Sequence, residues 1–277
     1  MNKTYFRLFL AALLFILLIS CKQEVATQKS NNDVKTISEK PADSKKRDNT
    51  PAGLLKLVKA YPDFLDSASG NKLYWKDGTV MEYDDGIKDK SYDELLNNPD
   101  LKDMMSQPYT KGTDWNSPPA ENFEPGRIRN EEFFMKMYGH SSGEVQGNLV
   151  SITWMPKSYG KSVVFTSVNG AAEHLQAVSD ELDELPSEFK KYLTRLGGTF
   201  NWRVIAGTNR QSTHSFGIAI DINTNYSDYW QWDKSMTYHN RIPIEIVEIF
   251  EKHGFIWGGK WYHYDTMHFE YRPELLQ

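Results

Sequence analysis

Apolar and polar positions follow two different periods in the C-terminal half of the chain. Over residues 216–222 every second residue is apolar, which is typical of a half-buried strand. Over residues 175–185 four apolar side chains recur at helical spacing, so a helix is expected there, with Asn169 as its N-cap. Both strands and helices are therefore expected in this half of the chain.

The same patterns predict elements elsewhere. Helices are expected at 54–60, 91–105, 130–138, 169–185, 187–196 and 244–253, and strands at 72–83, 148–154, 162–168, 200–206, 216–222 and 267–271. The region 72–83 should be a hairpin that turns at Asp77-Gly78, whereas 107–126 is rich in Pro, Asn and Gly and should be irregular. Because strands and helices are interleaved irregularly, we expect an α+β fold with an antiparallel sheet flanked by helices.

The N-terminus predicts export and a lipid anchor. Lys3 and Arg7 precede an apolar run over 8–19 that is too short to span a membrane and fits the core of a signal peptide, which is expected to cover 1–20. The run ends in Leu18-Ile19-Ser20-Cys21, which resembles the lipobox of bacterial lipoproteins. A lipid on Cys21 would hold the protein to a membrane of the bacterial cell envelope, on the periplasmic side or at the cell surface.

Three further segments are expected along the chain. Residues 21–51 have almost no large apolar side chains and should form a disordered tether. Residues 143–277 hold the candidate chemistry and should form the catalytic domain. Residues 52–142 should form an N-terminal α/β extension of unknown role, with a separate interaction module or an inhibitory cover as further interpretations.

Charge and cysteine content exclude several classes of function. The formal net charge is -5, and no basic patch marks an interface for nucleic acid. Cys21 is the only cysteine, so neither an internal disulfide nor a metal site of several thiolates can form.

Three side chains near the C-terminus have the chemistry of a catalytic zinc site, which takes three His, Asp or Glu ligands and leaves a fourth position to water. Asp221 points away from the apolar face of the strand over 216–222, and His214 precedes that strand in a loop that can fold back toward it. His268 lies on a second strand, so one edge of the sheet would carry all three ligands. His263 is an alternative ligand, but its aromatic neighbours favour a place in the pocket wall.

A carboxylate and a cation near these ligands could complete a hydrolytic site. Zinc lowers the pKa of a bound water from about 15.7 to roughly 7, and a nearby carboxylate can take the proton. Asp265 is the first candidate for this base, and Glu270, on the strand face of His268, is the second. For the partner of the oxyanion, Arg210 is the first candidate and Arg203 the second.

These residues form a recognisable pattern. The block from Ser212 to Asp221 reads Ser-x-His-x-x-Gly-x-Ala-x-Asp, an acidic residue stands three positions before His268, and Arg210 stands in a Gly-x-x-Arg setting. The run 254–261 reads Gly-Phe-Ile-Trp-Gly-Gly-Lys-Trp. Over roughly 199–273 the chain thus resembles the VanY-like zinc D-alanyl-D-alanine carboxypeptidases and the related L-alanyl-D-glutamate endopeptidases. In VanY-like members a longer insertion separates the Arg from the first His, and here it is nearly absent.

The resemblance implies a hedgehog/DD-peptidase-like fold and a set of roles. His214, Asp221 and His268 would bind zinc, Asp265 would be the general base, and Arg210 would steady the substrate or intermediate. The chain would then be a zinc metallopeptidase that hydrolyses an amide bond in peptidoglycan stem peptides. The Trp-Gly-Gly segment slightly favours L-alanyl-D-glutamate endopeptidase activity over D-alanyl-D-alanine carboxypeptidase activity. The alternative is a non-catalytic, zinc-containing lipoprotein that binds the cell wall.

The rim loop, defined as residues 224–241, is the candidate for the substrate rim. It contains the aromatic residues Tyr226, Tyr229, Trp230, Trp232 and Tyr238. Pocket walls are commonly aromatic and loops commonly carry specificity. The alternative is a loop that is held in place by its own aromatic side chains.

Overall fold

The structure, a computed structural model, describes residues 49–232 and 235–277. The expected signal peptide, Cys21 and nearly all of the expected tether lie outside the described residues, so the anchor and the localisation stay predictions. The described residues belong to one compact unit. In the described ranges, no helix combines the length and the apolar character needed to cross a membrane.

Helices and strands are interleaved along the described part of the chain. The helices are α1 (Ala52–Ala60), α2 (Tyr92–Asn97), α3 (Leu101–Met104), α4 (Glu131–Tyr138), α5 (Ser142–Gly147), α6 (Ala171–Asp183), α7 (Lys190–Leu193) and α8 (Ile244–Lys252). The strands are β1 (Leu65–Ser69), β2 (Lys72–Trp75), β3 (Val80–Glu82), β4 (Leu149–Trp154), β5 (Lys161–Thr166), β6 (Leu196–Gly198), β7 (Ala219–Asn223), β8 (Phe255–Trp257) and β9 (His268–Tyr271).

The strands form three antiparallel sheets. One sheet has the order β1-β2-β3, β4 and β5 form a hairpin, and the third sheet has the order β6-β7-β9-β8. The fold is therefore α+β, as the sequence predicts. Because β7 and β9 are neighbours in the third sheet, the two sequence blocks that hold the candidate ligands lie side by side.

Apolar packing secures the β7–β9 pair. Ile220 and Ile222, on the face of β7 that the sequence predicts to be apolar, are fully buried. Phe250 of α8 stacks on Phe269 of β9, with 3.8 Å between the ring centroids. Burying each such side chain stabilises the fold by about 1.5–3 kcal/mol. The opposite face of these strands is left to polar side chains.

The N-terminal extension and the C-terminal segment share one core. Leu54 of α1 is fully buried in a cluster that also contains Phe269. Tyr61, directly after α1, donates a hydrogen bond to Glu274 Oε2 at 2.6 Å, and both side chains are buried. The boundary expected after residue 142 therefore does not separate two cores.

The segment 107–126 contains no helix or strand, as predicted from its composition. It packs against the C-terminal part of the chain: Tyr109 donates a hydrogen bond to Glu251 Oε1 at 2.6 Å, and Lys260 Nζ donates to the carbonyl of Thr110 at 2.8 Å. Through these contacts the segment wraps around the C-terminal part of the chain.

The helix expected at 91–105 is two helices. Ser91 forms the capping box that its sequence predicts, but α2 ends at Asn97. Pro99 follows, and proline cannot continue a helix because it lacks the N–H and clashes with the preceding turn. Asp100 then caps α3 with a second capping box.

Three other expectations from the sequence are wrong in detail. Asn169 does not cap α6: it has a φ of 53°, and Gly170 occupies the N-cap position. The helix expected at 187–196 is a 3-10 turn followed by α7, and its last residue already belongs to β6. The strand expected at 200–206 makes only one bridge, between Val204 and Gln211.

Candidate metal centre and active site

Three polar side chains converge beside β7 and β9. His214 Nε2 lies 3.3 Å from Asp221 Oδ1 and 3.3 Å from His268 Nδ1, and Asp221 Oδ1 lies 2.9 Å from His268 Nδ1. In a tetrahedral zinc site with bonds of about 2.0 Å, neighbouring ligand atoms are roughly 3.3 Å apart. The three atoms therefore have the spacing of one face of such a tetrahedron.

Local structure explains this convergence. Asp221 of β7 is the register partner of His268 of β9, and directly opposed residues in an antiparallel pair project their side chains close together on the same face. His214 lies in the 3-10 turn Thr213–Phe216, where Ser212 caps the turn by accepting a hydrogen bond from the N–H of His214. The turn brings His214 back toward β7, as the sequence predicts.

Two glycines allow close packing next to the candidate ligands. Gly217 ends the 3-10 turn with a φ of 67°, and a Cβ at this position would lie 2.7 Å from Leu149 Cδ2. Gly197 of β6 lies next to Asp221, and a Cβ on it would lie 2.9 Å from Asp221 Cβ. Strand β6 can therefore approach β7 at this point only because residue 197 has no side chain.

Hydrogen bonds on the outer side of each imidazole orient the two rings. His214 Nδ1 lies 2.6 Å from the carbonyl oxygen of Thr199, and His268 Nε2 lies 2.9 Å from Glu270 Oε1. Each ring can donate its N–H to that outer acceptor, which leaves an unprotonated nitrogen on the inner side. Two nitrogens and a carboxylate oxygen then face one another as acceptors, a donor set that fits a divalent cation such as zinc.

Glu270 supports the site from behind the His268 ring. It accepts a hydrogen bond from Thr213 Oγ1 at 3.0 Å and one from Arg272 Nη1 at 3.3 Å, and Arg129 Nη1 lies 3.7 Å from its Oε1. Burial by itself would raise the pKa of Glu270, but Arg129 and the other positive groups outweigh it and hold the pKa well below its usual range. Glu270 is thus committed to orienting His268, which leaves Asp265 as the candidate base.

Asp265 is a half-buried residue in the loop before β9. Its N–H donates to the carbonyl of Gly258 at 3.0 Å, and its own carbonyl accepts from the N–H of His268 at 3.2 Å. In the part of the chain that the structure describes, its Oδ1 is buried and has no hydrogen-bond partner. Burial, with the charge of Asp221 added, raises the pKa of Asp265 to about 7. The side chain is therefore suited to exchanging a proton near neutral pH.

A cavity of about 540 Å³ opens over this group. Its wall contains the candidate ligands His214, Asp221 and His268, the carboxyl groups of Asp265 and Glu270, the arginines Arg127, Arg129 and Arg203, and the aromatic residues Tyr229, Trp232 and Trp261. The carboxyl group of Asp265 thus shares one cavity with the three candidate ligands.

The structure does not place the predicted cation Arg210 in this wall. Within residues 49–232 and 235–277, the arginines that line the cavity are Arg127, Arg129 and Arg203. Arg210 lies in the tight turn whose bridge joins Val204 to Gln211, and burial lowers its pKa. Arg203, the second candidate from the sequence, is the one that reaches the cavity.

Arg127 and Arg129 are functional candidates that the sequence reading missed. Ile128, between them, is 2% exposed, so the chain alternates over this segment with the arginines on one side and an apolar anchor on the other. This alternation is the only signal in the sequence that could have identified the two arginines. It covers three residues directly after an irregular segment, where an alternating pattern has little predictive value.

His263 is not part of the cluster of ligands. Its Nδ1 lies 2.6 Å from Glu124 Oε1, and its backbone N–H donates to the same oxygen at 2.7 Å. Trp230 packs edge-on against the imidazole, with 4.6 Å between the ring centroids. The sequence favoured a position among aromatic residues over a ligand role, and the contacts agree with that choice.

The rim loop contributes two of its aromatic residues to the cavity. Tyr229 and Trp232 line the wall, and Tyr229 pairs through its backbone with Asp265. Trp232 is 60% exposed, so its indole is free to contact a ligand. Other aromatic residues of the loop pack against the protein, as Tyr238 does by donating a hydrogen bond to the carbonyl of Gly259. Residues 233 and 234 lie outside the described part of the loop.

A second cluster of acidic side chains already pairs with a lysine. Asp84, Asp85 and Asp100 bring carboxylate oxygens together, but Lys90 Nζ lies 2.7 Å from Asp85 and 3.8 Å from Asp100. The lysine is itself nearly buried, with 4% of its side chain exposed. It offsets part of the negative charge, and Lys102 Nζ lies 2.6 Å from Asp84, so each of the three carboxylates already pairs with a lysine.

Comparison with known proteins agrees with a peptidase. Residues 206–271 match a family model described as D-alanyl-D-alanine carboxypeptidase, in which members generally depend on zinc. The matched stretch contains the three candidate ligands and Asp265, whereas Arg127, Arg129 and Arg203 precede it. No curated protein and no solved structure matches the chain. At this coarse level, the match supports the resemblance to the VanY-like peptidases.

Proposed function

We propose that the chain is a zinc metallopeptidase that hydrolyses an amide bond in peptidoglycan stem peptides. One observation carries the proposal: three acceptor atoms at zinc-ligand spacing share a cavity with the carboxyl group of Asp265, one oxygen of which is buried and has no hydrogen-bond partner among the described residues. The match of residues 206–271 to a carboxypeptidase family model supports the substrate class.

The residues of the site have three proposed roles: binding of the metal ion, proton transfer and stabilisation of negative charge. His214, Asp221 and His268 would hold the zinc ion. Bound zinc supplies a water of lowered pKa and polarises the scissile carbonyl. Asp265 accepts the proton of the attacking water at its carboxylate and returns it to the leaving amine. Arg203, on the same cavity wall, takes the role of stabilising developing negative charge that the sequence reading gave to Arg210.

A purely binding role is disfavoured by the surroundings of Asp265. A structural zinc site is normally closed by four protein ligands, whereas the described residues bring three ligand atoms together next to an open cavity. In addition, a buried carboxyl oxygen without a hydrogen-bond partner, such as Asp265 Oδ1, lowers the stability of the fold by about 1–3 kcal/mol. Carboxyl groups in such unfavourable surroundings are typical of catalytic sites.

The location follows from the predicted lipoprotein signal. A lipid on Cys21 and a polar tether over 21–51 would let the catalytic unit reach the peptidoglycan next to a membrane of the cell envelope. The proposed partners are therefore peptidoglycan peptides and the membrane, with no role for nucleic acid.

Digestion of purified muropeptides tests the proposal. The zinc-loaded protein should release fragments that mass spectrometry identifies, a chelator should stop the reaction, and added zinc should restore it. Release of free D-alanine alone would assign carboxypeptidase activity, and cleavage between L-alanine and D-glutamate would assign endopeptidase activity. His268→Ala serves as the inactive variant, and the exposed Lys157→Gln serves as a surface control. A protein with zinc fully bound that cleaves no muropeptide would overturn the proposal.

A further inference from the structure

Arg127 brings a positive charge into the cavity from the N-terminal extension. It precedes α4 and lines the same cavity as the candidate ligands and Asp265. Its side chain is 16% exposed, so most of it is packed against the protein while part of it reaches the cavity surface. The extension, which has no recognisable chemistry in its sequence, therefore supplies part of the site.

Buried groups hold the Arg127 guanidinium from behind. Its Nε lies 3.3 Å from Glu124 Oε2, and its Nη1 donates to the carbonyl of His263 at 3.2 Å. Glu124 is fully buried and is held in turn by the N–H and the Nδ1 of His263. Burial by itself would raise the pKa of Glu124, but His263 and Arg127 outweigh it and keep the pKa below its ordinary value. The ion pair thus fixes the arginine before any ligand binds.

An indole ring connects Arg127 to the candidate metal ligands. The guanidinium carbon lies 5.5 Å from the ring centre of Trp261, and that ring lies 5.6 Å from the imidazole of His268. The Trp261 ring therefore contacts both the Arg127 guanidinium and the His268 imidazole.

Part of the guanidinium is left for a ligand. Among the residues that the structure describes, Arg127 Nη2 makes no hydrogen bond, whereas Nε pairs with Glu124 and Nη1 donates to the carbonyl of His263. A planar guanidinium presents its N–H groups in a fork that matches a carboxylate. The N–H groups of Nη2 are therefore available for charge-assisted hydrogen bonds to an anion such as a carboxylate.

Both candidate scissile bonds place a carboxylate at the same position. In a peptide that ends in D-alanyl-D-alanine, the leaving D-alanine carries its carboxylate on the carbon attached to the scissile nitrogen. In an L-alanyl-D-glutamate bond whose glutamate continues through its side chain, the leaving amine carries its α-carboxylate on the corresponding carbon. We propose that Arg127 binds this carboxylate, so that the substrate is a peptide whose leaving amine bears a free α-carboxylate.

This inference rests on the proposed peptidase function and is tested with matched pairs of peptides. One pair ends in D-alanyl-D-alanine as the free acid or as the C-terminal amide. The other contains L-alanyl-γ-D-glutamyl-lysine or the same peptide with the α-carboxylate of the glutamate as an amide. For the pair that the wild-type protein cleaves, kcat/KM should be roughly 10- to 100-fold higher for the acid than for the amide, because a charge-assisted hydrogen bond is lost.

In Arg127→Gln this preference should fall to within about threefold, mainly through a lower kcat/KM for the acid. A ratio measured in one preparation does not depend on the fraction of folded protein, so a loss of stability cannot mimic the result. Arg127→Lys should keep part of the preference because it keeps the charge and loses the planar guanidinium with its N–H groups. Lys157→Gln, which removes an exposed cation outside the cavity wall, should keep the wild-type preference.

Two results would overturn the inference. Equal cleavage of acid and amide by the wild-type protein would show that no carboxylate is recognised, and an unchanged preference in Arg127→Gln would show that another group recognises it. If the zinc-loaded wild type cleaves none of these peptides and no muropeptide, the proposed function fails and the inference fails with it. If muropeptides are cleaved at a bond whose leaving amine lacks an α-carboxylate, only the inference fails.

Discussion

Asp221 and His268 face each other across the β7–β9 pair, and Asp221 Oδ1 lies 2.9 Å from His268 Nδ1. Strand register therefore brings together two candidate ligands that are far apart in the sequence. His214 reaches the same point from the 3-10 turn before β7. Because two of the three ligands are on a hydrogen-bonded sheet, the geometry of the site depends little on loop conformation.

Asp265→Asn should abolish turnover while the metal stays bound. The amide has nearly the shape of the carboxyl group but cannot accept the proton, so kcat should fall by about 10²- to 10⁴-fold. Steady-state rates with muropeptides and the zinc content of the purified protein check this. An Asp265→Asn protein with full zinc and wild-type kcat would remove Asp265 from the mechanism.

Glu270→Gln should weaken metal binding without removing a ligand. Glu270 lies 2.9 Å from His268 Nε2 and orients the ring. Loss of such a carboxylate behind a metal-binding histidine typically costs 10- to 100-fold in affinity, so we expect about that loss. Competition with a chromophoric zinc chelator measures it. Glu248→Gln, on the exposed side of α8, is the matched control, and equal affinities of the two variants would argue against an orienting role.

Gly197→Ala should disturb Asp221. The added methyl group would lie 2.9 Å from Asp221 Cβ, so β6 or Asp221 must move. We expect a loss of about 1–3 kcal/mol in the free energy of unfolding and a lower zinc affinity. Urea unfolding and chelator competition measure these two effects. Gly143→Ala is the control because its methyl group meets nothing within 4 Å in helix α5, and it should be neutral or slightly stabilising.

Asp183 should stabilise the fold at neutral pH and not in acid. Its carboxylate accepts hydrogen bonds from the N–H of Lys157 at 2.6 Å, from the hydroxyl of Ser158, and from Lys190 Nζ at 3.2 Å. Burial by itself would raise the pKa of Asp183, but these donors outweigh it and lower the pKa. A folded pKa below the unfolded value of about 3.9 gives stability that is present above that value and lost as pH falls through the folded pKa.

Asp183→Asn should therefore lower the free energy of unfolding by about 1–2 kcal/mol at pH 7. The difference from the wild type should shrink below about pH 4. Denaturant unfolding at a series of pH values measures both effects. A difference that is constant from pH 7 to acid would contradict the assignment to an ionised Asp183.

The C-terminal segment 143–277 should not fold without the N-terminal extension. Its removal would strip Leu54 and its neighbours from the shared core and leave Glu274 without its hydrogen bond from Tyr61. Circular dichroism and urea unfolding should show no cooperative transition for 143–277, whereas the chain 49–277 should unfold in one transition. Cooperative unfolding of 143–277 would show that the extension is a separate domain.

The sequence by itself determined the α+β class, the segments that form β7 and β9, and the three residues that converge. Each of these conclusions depends on a local pattern: a period of two over 216–222, or a His and an acidic residue within one short block. Backbone period decides on which face a side chain lies, so such patterns carry over directly into the structure.

Only the tertiary structure decided which charged groups complete the site. The place of Arg203 in the cavity wall where Arg210 was expected, the presence of Arg127 there, and the hydrogen bond of Glu270 to His268 follow from contacts that no period encodes. Arg127 meets Trp261 because an irregular segment wraps around the C-terminal part of the chain. In such a segment, side-chain direction is set by the contacts made on folding, and residues far apart in the sequence supply those contacts.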